Sequence, residues 1–156
     1  MDDKQIEQII RDYLPQIIHM SVATVEGGKP WVFEVHYGFD DDLNLYWMSS
    51  QKVRHSQEVA KNTNVSGNIV VQHFLGQLAR GVAFEGQVEM IEGVDEDHPA
   101  YKAYANRFAD RADKVLSAYA NPEGARIYKV HVSDYYLIDG LRTGSPEKHH
   151  LKWPQL

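Results

Sequence analysis

The sequence predicts a mainly β protein, a six-stranded antiparallel barrel that carries helices on its outside. Six segments have strand-like patterning, and most links between them are of hairpin length. Helical stretches interrupt the series without the regular strand–helix alternation of a parallel sheet. A chain of 156 residues with 43% hydrophobic and 24% charged residues suits one domain, residues 1–156, around one sizeable core.

A helix is predicted within residues 1–15, because Ile6, Ile9, Ile10, Tyr13 and Leu14 form one apolar stripe. Asp2, with Gln5 three residues on, caps it, and Pro15 ends it. Ile17 to Val25 is the first strand, followed by the hairpin signal Glu26-Gly27-Gly28-Lys29-Pro30. Trp31 to Phe39 returns, with Trp31, Phe33, Val35 and Tyr37 on one face and Val32, Glu34 and His36 on the other. The turn Asp40-Asp41-Asp42 leads into the strand Leu43 to Met48. Lys52 to Asn62 does not alternate and contains good helix formers, so it reads as a short helix capped by Ser49 or Ser50. Val65 to Phe74 is strand-like, and Val82, Phe84, Gly86, Val88 and Met90 alternate with polar or small residues in the next strand. Asp97 and Pro99 open a helical region. In it Tyr101, Tyr104, Ala105 and Phe108 share a face, as do Ala112, Val115, Leu116 and Tyr119, until Asn121-Pro122-Glu123-Gly124 stops it. Arg126 to Ile138 is the last strand, and the tail 140–156 reads as polar loop.

Composition removes several function classes. Without cysteine there is no disulfide, thiolate nucleophile or zinc knuckle, and the expected setting is cytoplasmic. A net charge of −6 offers no basic stripe for nucleic acid. No apolar run approaches the roughly 18 residues of a membrane span, so no membrane partner is expected. The eight histidines show no His-x-x-x-His or two-His-carboxylate spacing, so no metal site is expected. His149 and His150 are adjacent and point to opposite faces of an extended segment. No Ser/His/Asp set or carboxylate pair stands out, so no catalytic residue is nominated.

The informative stretch is Leu45-Tyr46-Trp47-Met48-Ser49-Ser50-Gln51-Lys52-Val53-Arg54-His55. Lys52, Arg54 and His55 lie at a predicted helix start, where the helix dipole disfavours cations. An anion there would resolve the conflict, meeting free backbone N–H groups, the Ser49 and Ser50 hydroxyls and the basic side chains. A solvated basic turn fits the same pattern, and the residues alone leave both readings open.

Around this junction the chain resembles the pyridoxamine 5'-phosphate oxidase-like flavoproteins of the FMN-binding split-barrel fold, over about Ile17 to Ile138. The resemblance is carried by Tyr46-Trp47-Met48-Ser49, then Lys52-Val53-Arg54-His55, then Asn62-Thr63-Asn64-Val65, and by the later strand from Arg80 to Glu89 with its Gly81-Val82 start. It implies a split barrel that binds FMN, with Lys52, Arg54 and His55 on the phosphate. Met48 and Ser49 would approach the phosphate–ribityl side or the ring edge. Glu34, Val35 and His36 match the strand beneath the isoalloxazine, and Gly81 a position against the flavin, where glycine allows close backbone approach. It also implies a homodimer with flavin between the subunits and an oxidoreductase activity on an unidentified small molecule. A flavin brings its own redox chemistry, which fits the missing triad. Authentic pyridoxamine phosphate oxidases carry a Trp-then-Arg arrangement near the C-terminus. Here Trp153 follows Arg142, which argues against vitamin B6 oxidation. The alternatives are a non-catalytic flavin- or haem-binding module for storage or sensing, and an enzyme using deazaflavin or haem. The histidine-rich tail keeps haem in view.

Overall fold

The computed structural model describes residues 1–154, so the last two residues of the predicted tail lie outside the described residues. Helix α1 (Asp3–Tyr13) begins at a complete capping box: the Asp2 carboxylate accepts from Gln5 N and the Gln5 amide oxygen accepts from Asp2 N, each at 2.9 Å. Its apolar stripe is buried, and Pro15 sits in a 3-10 turn that ends the run.

Strands β1 (His19–Glu26) and β2 (Lys29–His36) form the predicted hairpin, paired from His19 with His36 to Glu26 with Lys29. Its turn needs left-handed backbone at Gly27 and Gly28 (φ 57° and 74°), which glycine adopts without steric cost. The predicted return strand divides at its end, because β3 (Gly38–Phe39) pairs with β4 (Leu45–Ser49) instead of β1. Strand β5 (Asn64–Val70) follows helix α2 (Arg54–Lys61), and β6 (Arg80–Ile91) and β7 (Arg126–Asp139) make the longest pairing. Between these two lie α3 (Pro99–Ala105), a 3-10 turn over Ala109–Arg111 and α4 (Ala112–Tyr119). His98 replaces the expected Asp97 as the cap of α3, its Nδ1 accepting from Ala100 N at 3.0 Å.

The tail is a correction. Instead of loop it forms a helical turn, α5 (Gly140–Thr143), and a strand, β8 (Lys148–Lys152), which pairs with the second half of β7. Its polar composition hid a strand in which Leu151 alone is fully buried while Lys148, His150 and Lys152 face solvent. His149 and His150 do fall on opposite faces of it.

The eight strands form one antiparallel sheet in the order β2-β1-β5-β6-β7-β4-β3, with β8 beside β7. The sheet curls into a half-barrel. Phe33 of β2 meets Trp47 of β4 edge-on, with ring centroids 5.7 Å apart, although the strands are far apart along the hydrogen-bonded path. The main core fills the curl and takes Ile6, Ile9, Ile10 and Tyr13 from α1 and Leu14 from the 3-10 turn after it. A second core, with Tyr46, Ile91, Tyr104, Val115 and Ile127, lies beneath α3 and α4.

The fully buried Asp139 ties the N-terminal helix to the end of β7. Its carboxylate accepts from the Tyr13 hydroxyl and from Arg142 N (3.1 Å), and pairs with Arg142 Nε at 3.3 Å. Burial first, and then the bond to Asp139, push the Tyr13 hydroxyl up to about 12. Tyr13→Phe removes a donor to a buried carboxylate, an expected loss of about 2 kcal/mol. Calorimetry should show Tm lower by roughly 4–8 °C.

Candidate functional site

The junction between β4 and α2 has a defined geometry. Ser49, the last residue of β4, shares a 2.8 Å hydrogen bond with His55 Nε2 across the turn. The His55 ring lies flat on Phe33 of β2, with centroids 3.8 Å apart and planes 8° from parallel. Arg54 lies over the Trp31 ring at 4.1 Å, and its Nε donates to Glu58 Oε1 at 2.8 Å, one helical turn on. Glu58 is buried and also accepts from the Thr24 hydroxyl. That bond, followed by Arg54, holds the Glu58 carboxyl below its usual range.

The predicted helix start moves by two residues. Neither Ser49 nor Ser50 caps α2. The N-cap is Val53, which has no side chain able to accept, and the Ser50 hydroxyl instead accepts from Lys52 N at 3.2 Å inside the preceding turn. A basic first turn without a side-chain cap therefore persists in the fold. Lys52 is exposed and pairs with Glu123 at 3.3 Å. Gln51 Nε2 donates to the carbonyls of Pro122 (3.0 Å) and Gly124 (2.7 Å), which fixes the turn to the loop before β7. Under the junction, Trp47 Nε1 and Ser56 Oγ are buried without a hydrogen-bond partner among the described residues. Burial raises the neighbouring Tyr128 hydroxyl above its ordinary value.

The nine residues nominated from sequence fall into two groups on the sheet. Met48, Ser49, Lys52, Arg54 and His55 gather at one end. Glu34, Val35 and His36 close β2, with Val35 against the main core and Glu34 and His36 on the opposite face. Gly81 is away from the junction: Met48 pairs with Ile127 and so reaches Ile91, whereas Gly81 pairs with Ile138 at the other end of β6. Gly81 also pairs with Val70, two residues beyond the Asn68 that pairs with Ser21 opposite Glu34, so it shares the Glu34–His36 end. A Cβ at Gly81 would sit 2.9 Å from the Ile69 carbonyl oxygen, so close packing on β5 itself requires the glycine. Strand β2 joins the groups, since Trp31 and Phe33 touch the junction and His36 lies a further 10–17 Å along it by the rise of a strand (roughly).

Trp31, Phe33, Glu58 and Gln51 belong to the site and were not nominated. Arg54–Glu58 has the i, i+4 spacing of a helical ion pair and was readable. Trp31 and Phe33 come from a distant strand, and no local pattern announces them.

His55 gives the junction a pH signature. Burial lowers its pKa below the ordinary value, and Glu58 opposes this more weakly. A histidine that folds with a depressed pKa binds protons more readily when unfolded. Its contribution to stability is complete above about pH 6.5 and is lost as pH falls through the lower folded value. His36 is shifted in the same direction. Tm is expected to decline below about pH 6.5, and His55→Gln should flatten part of that decline.

Residues 6–139 match the family model described as pyridoxamine 5'-phosphate oxidase. A UPF0306 protein of Photorhabdus laumondii is 31% identical over 103 residues, covering 65% of this chain and 71% of that protein. A haem-binding protein from Mycobacterium smegmatis has a similar structure (TM-score 0.72, 19% identity), over 91% of this chain and 55% of its own. So has a FAD-binding protein from Mesorhizobium loti (TM-score 0.63, 15% identity), over 83% of this chain and 89% of its own. At these identities the two structures share the fold with this chain, and what they bind is said of them alone.

Proposed function

The chain belongs to the pyridoxamine 5'-phosphate oxidase-like family, and from that premise we propose that it is an FMN-binding oxidoreductase whose phosphate site is the β4–α2 junction. The observation that carries this reading is the basic, side-chain-uncapped first turn of α2 backed by the Ser49–His55 pair. Four N–H groups at a helix start need acceptors, and a phosphate supplies them. Glu58 engages Arg54 Nε, which leaves the two terminal nitrogens for an external oxygen. Ser49 and Lys52 flank the same spot, and Met48 precedes it on β4. The ring would extend along β2 toward Glu34, Val35 and His36, with Gly81 at that end. When bound, FMN supplies the hydride and electron chemistry, so the chain needs to bind, orient and shield it.

A second copy of the chain completes the proposed site. Strand β2 is an edge strand, and Trp31 (39%), Val32 (61%) and Val53 (37%) leave apolar surface exposed beside the junction. A homodimer would cover it. No helix among the described residues is long and apolar enough to cross a membrane, and the proposed setting is cytoplasmic.

The absorption spectrum of the purified protein, before and after incubation with FMN, tests the reading. Retained flavin bands support it. A Soret band without flavin would instead favour the haem-binding alternative, and retention of neither would overturn FMN binding.

A further inference from the structure

We infer that Arg111, positioned by His36, is a recognition site for the carboxylate of a small acid with an apolar body. The pair sits where β2 ends against the 3-10 turn after α3. Arg11, Arg54, Arg126 and Arg142 each have a carboxylate partner. Arg80, Arg107 and Arg111 have none among the described residues, and the Nε of Arg80 is buried away from any partner. Arg107 donates to the backbone carbonyls of Leu14 and Ile17. Arg111 bonds the Tyr104 hydroxyl through Nη1 (3.2 Å) and His36 Nδ1 through Nη2 (2.7 Å).

That last bond fixes the state of the imidazole. A guanidinium donates and cannot accept, so Nδ1 must accept and the proton of the neutral ring resides on Nε2. Burial first, then Arg111 and His19, keep the His36 pKa below its ordinary value, while Glu34 pulls the other way. The Glu34 carboxylate is engaged by His19 Nε2 at 2.9 Å. Asp110, next to Arg111, makes no ion pair among the described residues. A guanidinium with no carboxylate partner is thus left on a chain whose net charge is −6.

Phe108 supports both groups. It stacks on His36 (5.6 Å, 17°) and lies beneath Arg111 (4.9 Å). At the same end of the sheet Ile18 is 54% exposed, and beyond Val70 the β5–β6 loop exposes Phe74 (68%). The Arg111 N–H groups not taken by Tyr104 and His36 suit the two oxygens of a carboxylate, and the Phe108 ring beneath them suits a hydrocarbon or aromatic body. The site deepens the flavin reading by naming the class of molecule that would meet the ring. It rests on that reading only for its part in redox chemistry, because binding of the acid needs no flavin.

Benzoate titrated into the protein without added flavin, followed through the side-chain imidazole resonances, tests the site. Benzoate should shift His36 saturably and benzamide should not. Arg111→Gln should weaken benzoate binding by about tenfold or more, as expected for loss of a charge-assisted contact. Equal responses to benzoate and benzamide, or no shift of His36 by either, would overturn the proposal. Since flavin is absent, neither result bears on the FMN reading.

Discussion

Arg54→Ala is expected to weaken FMN binding by about 100-fold, the equivalent of roughly 2–3 kcal/mol. Riboflavin binding should change little, because riboflavin lacks the phosphate. The cost to stability should be far smaller. Arg54 is half exposed, so its ion pair with Glu58 and its contact with Trp31 contribute about 1 kcal/mol. What remains is Glu58, buried and left with Thr24 as its hydrogen-bond partner. The variant Arg54→Ala/Glu58→Gln removes that residual charge and should recover most of any fall in Tm, but no FMN affinity. Arg54→Lys keeps the charge and loses the fork. One ammonium cannot hold Glu58 and a phosphate with the geometry of a guanidinium, so affinity should fall to an intermediate value. Calorimetric titration with FMN and with riboflavin, beside differential scanning calorimetry, reads both quantities.

The largest expected loss of stability is at Arg126, a 4% exposed arginine at the start of β7 that pairs with Ser49 across the sheet. Its Nη1 lies within 3.1–3.2 Å of the carbonyl oxygens of Ala118, Asn121, Gly124 and Ala125. Nη2 donates to Pro122 O at 3.1 Å, Nε pairs with Glu92 at 3.1 Å, and the group lies 4.8 Å from the Tyr119 ring centroid. One guanidinium therefore organises the whole return from α4. Arg126→Ala would take the donor from Ala125 O, remove one of two donors from the Ala118, Asn121, Pro122 and Gly124 carbonyls and empty a buried site, at about 3–5 kcal/mol, and should lower Tm by roughly 6–20 °C. The same loop receives Gln51 and Lys52. FMN retention should therefore fall with stability in this variant, whereas Arg54→Ala separates the two. Arg126→Lys should recover little, because a single ammonium cannot span the five carbonyls.

The course of the chain was readable wherever a local pattern has one physical cause. The apolar stripe and capping box of α1, the Gly27-Gly28 hairpin and the alternation in β6 depend on near neighbours, and each appears in the fold. The basic junction was readable too, since Lys52, Arg54 and His55 lie within four residues of one another. What failed depends on distant partners. The tail became strand β8 because β7 is long enough to pair with β4 along its first half and with β8 along its second. Phe33 against His55, Trp31 under Arg54 and Arg111 against His36 each join segments at least 22 residues apart, a separation that no periodicity reports. The cap of α2 moved from Ser49 or Ser50 to Val53 because Ser49 remains in β4 and Ser50 closes the turn. That shift leaves the helix start open instead of capped, which strengthens the case for an anion there.

The most direct test of the phosphate site is the ratio of FMN to riboflavin affinity in the unaltered protein and in Arg54→Ala, measured by titration calorimetry. A phosphate held at the junction predicts FMN binding at least about 30-fold tighter than riboflavin in the unaltered protein, with most of that preference lost in the variant. Equal affinities for the two flavins in the unaltered protein, or a preference that survives Arg54→Ala, would contradict it.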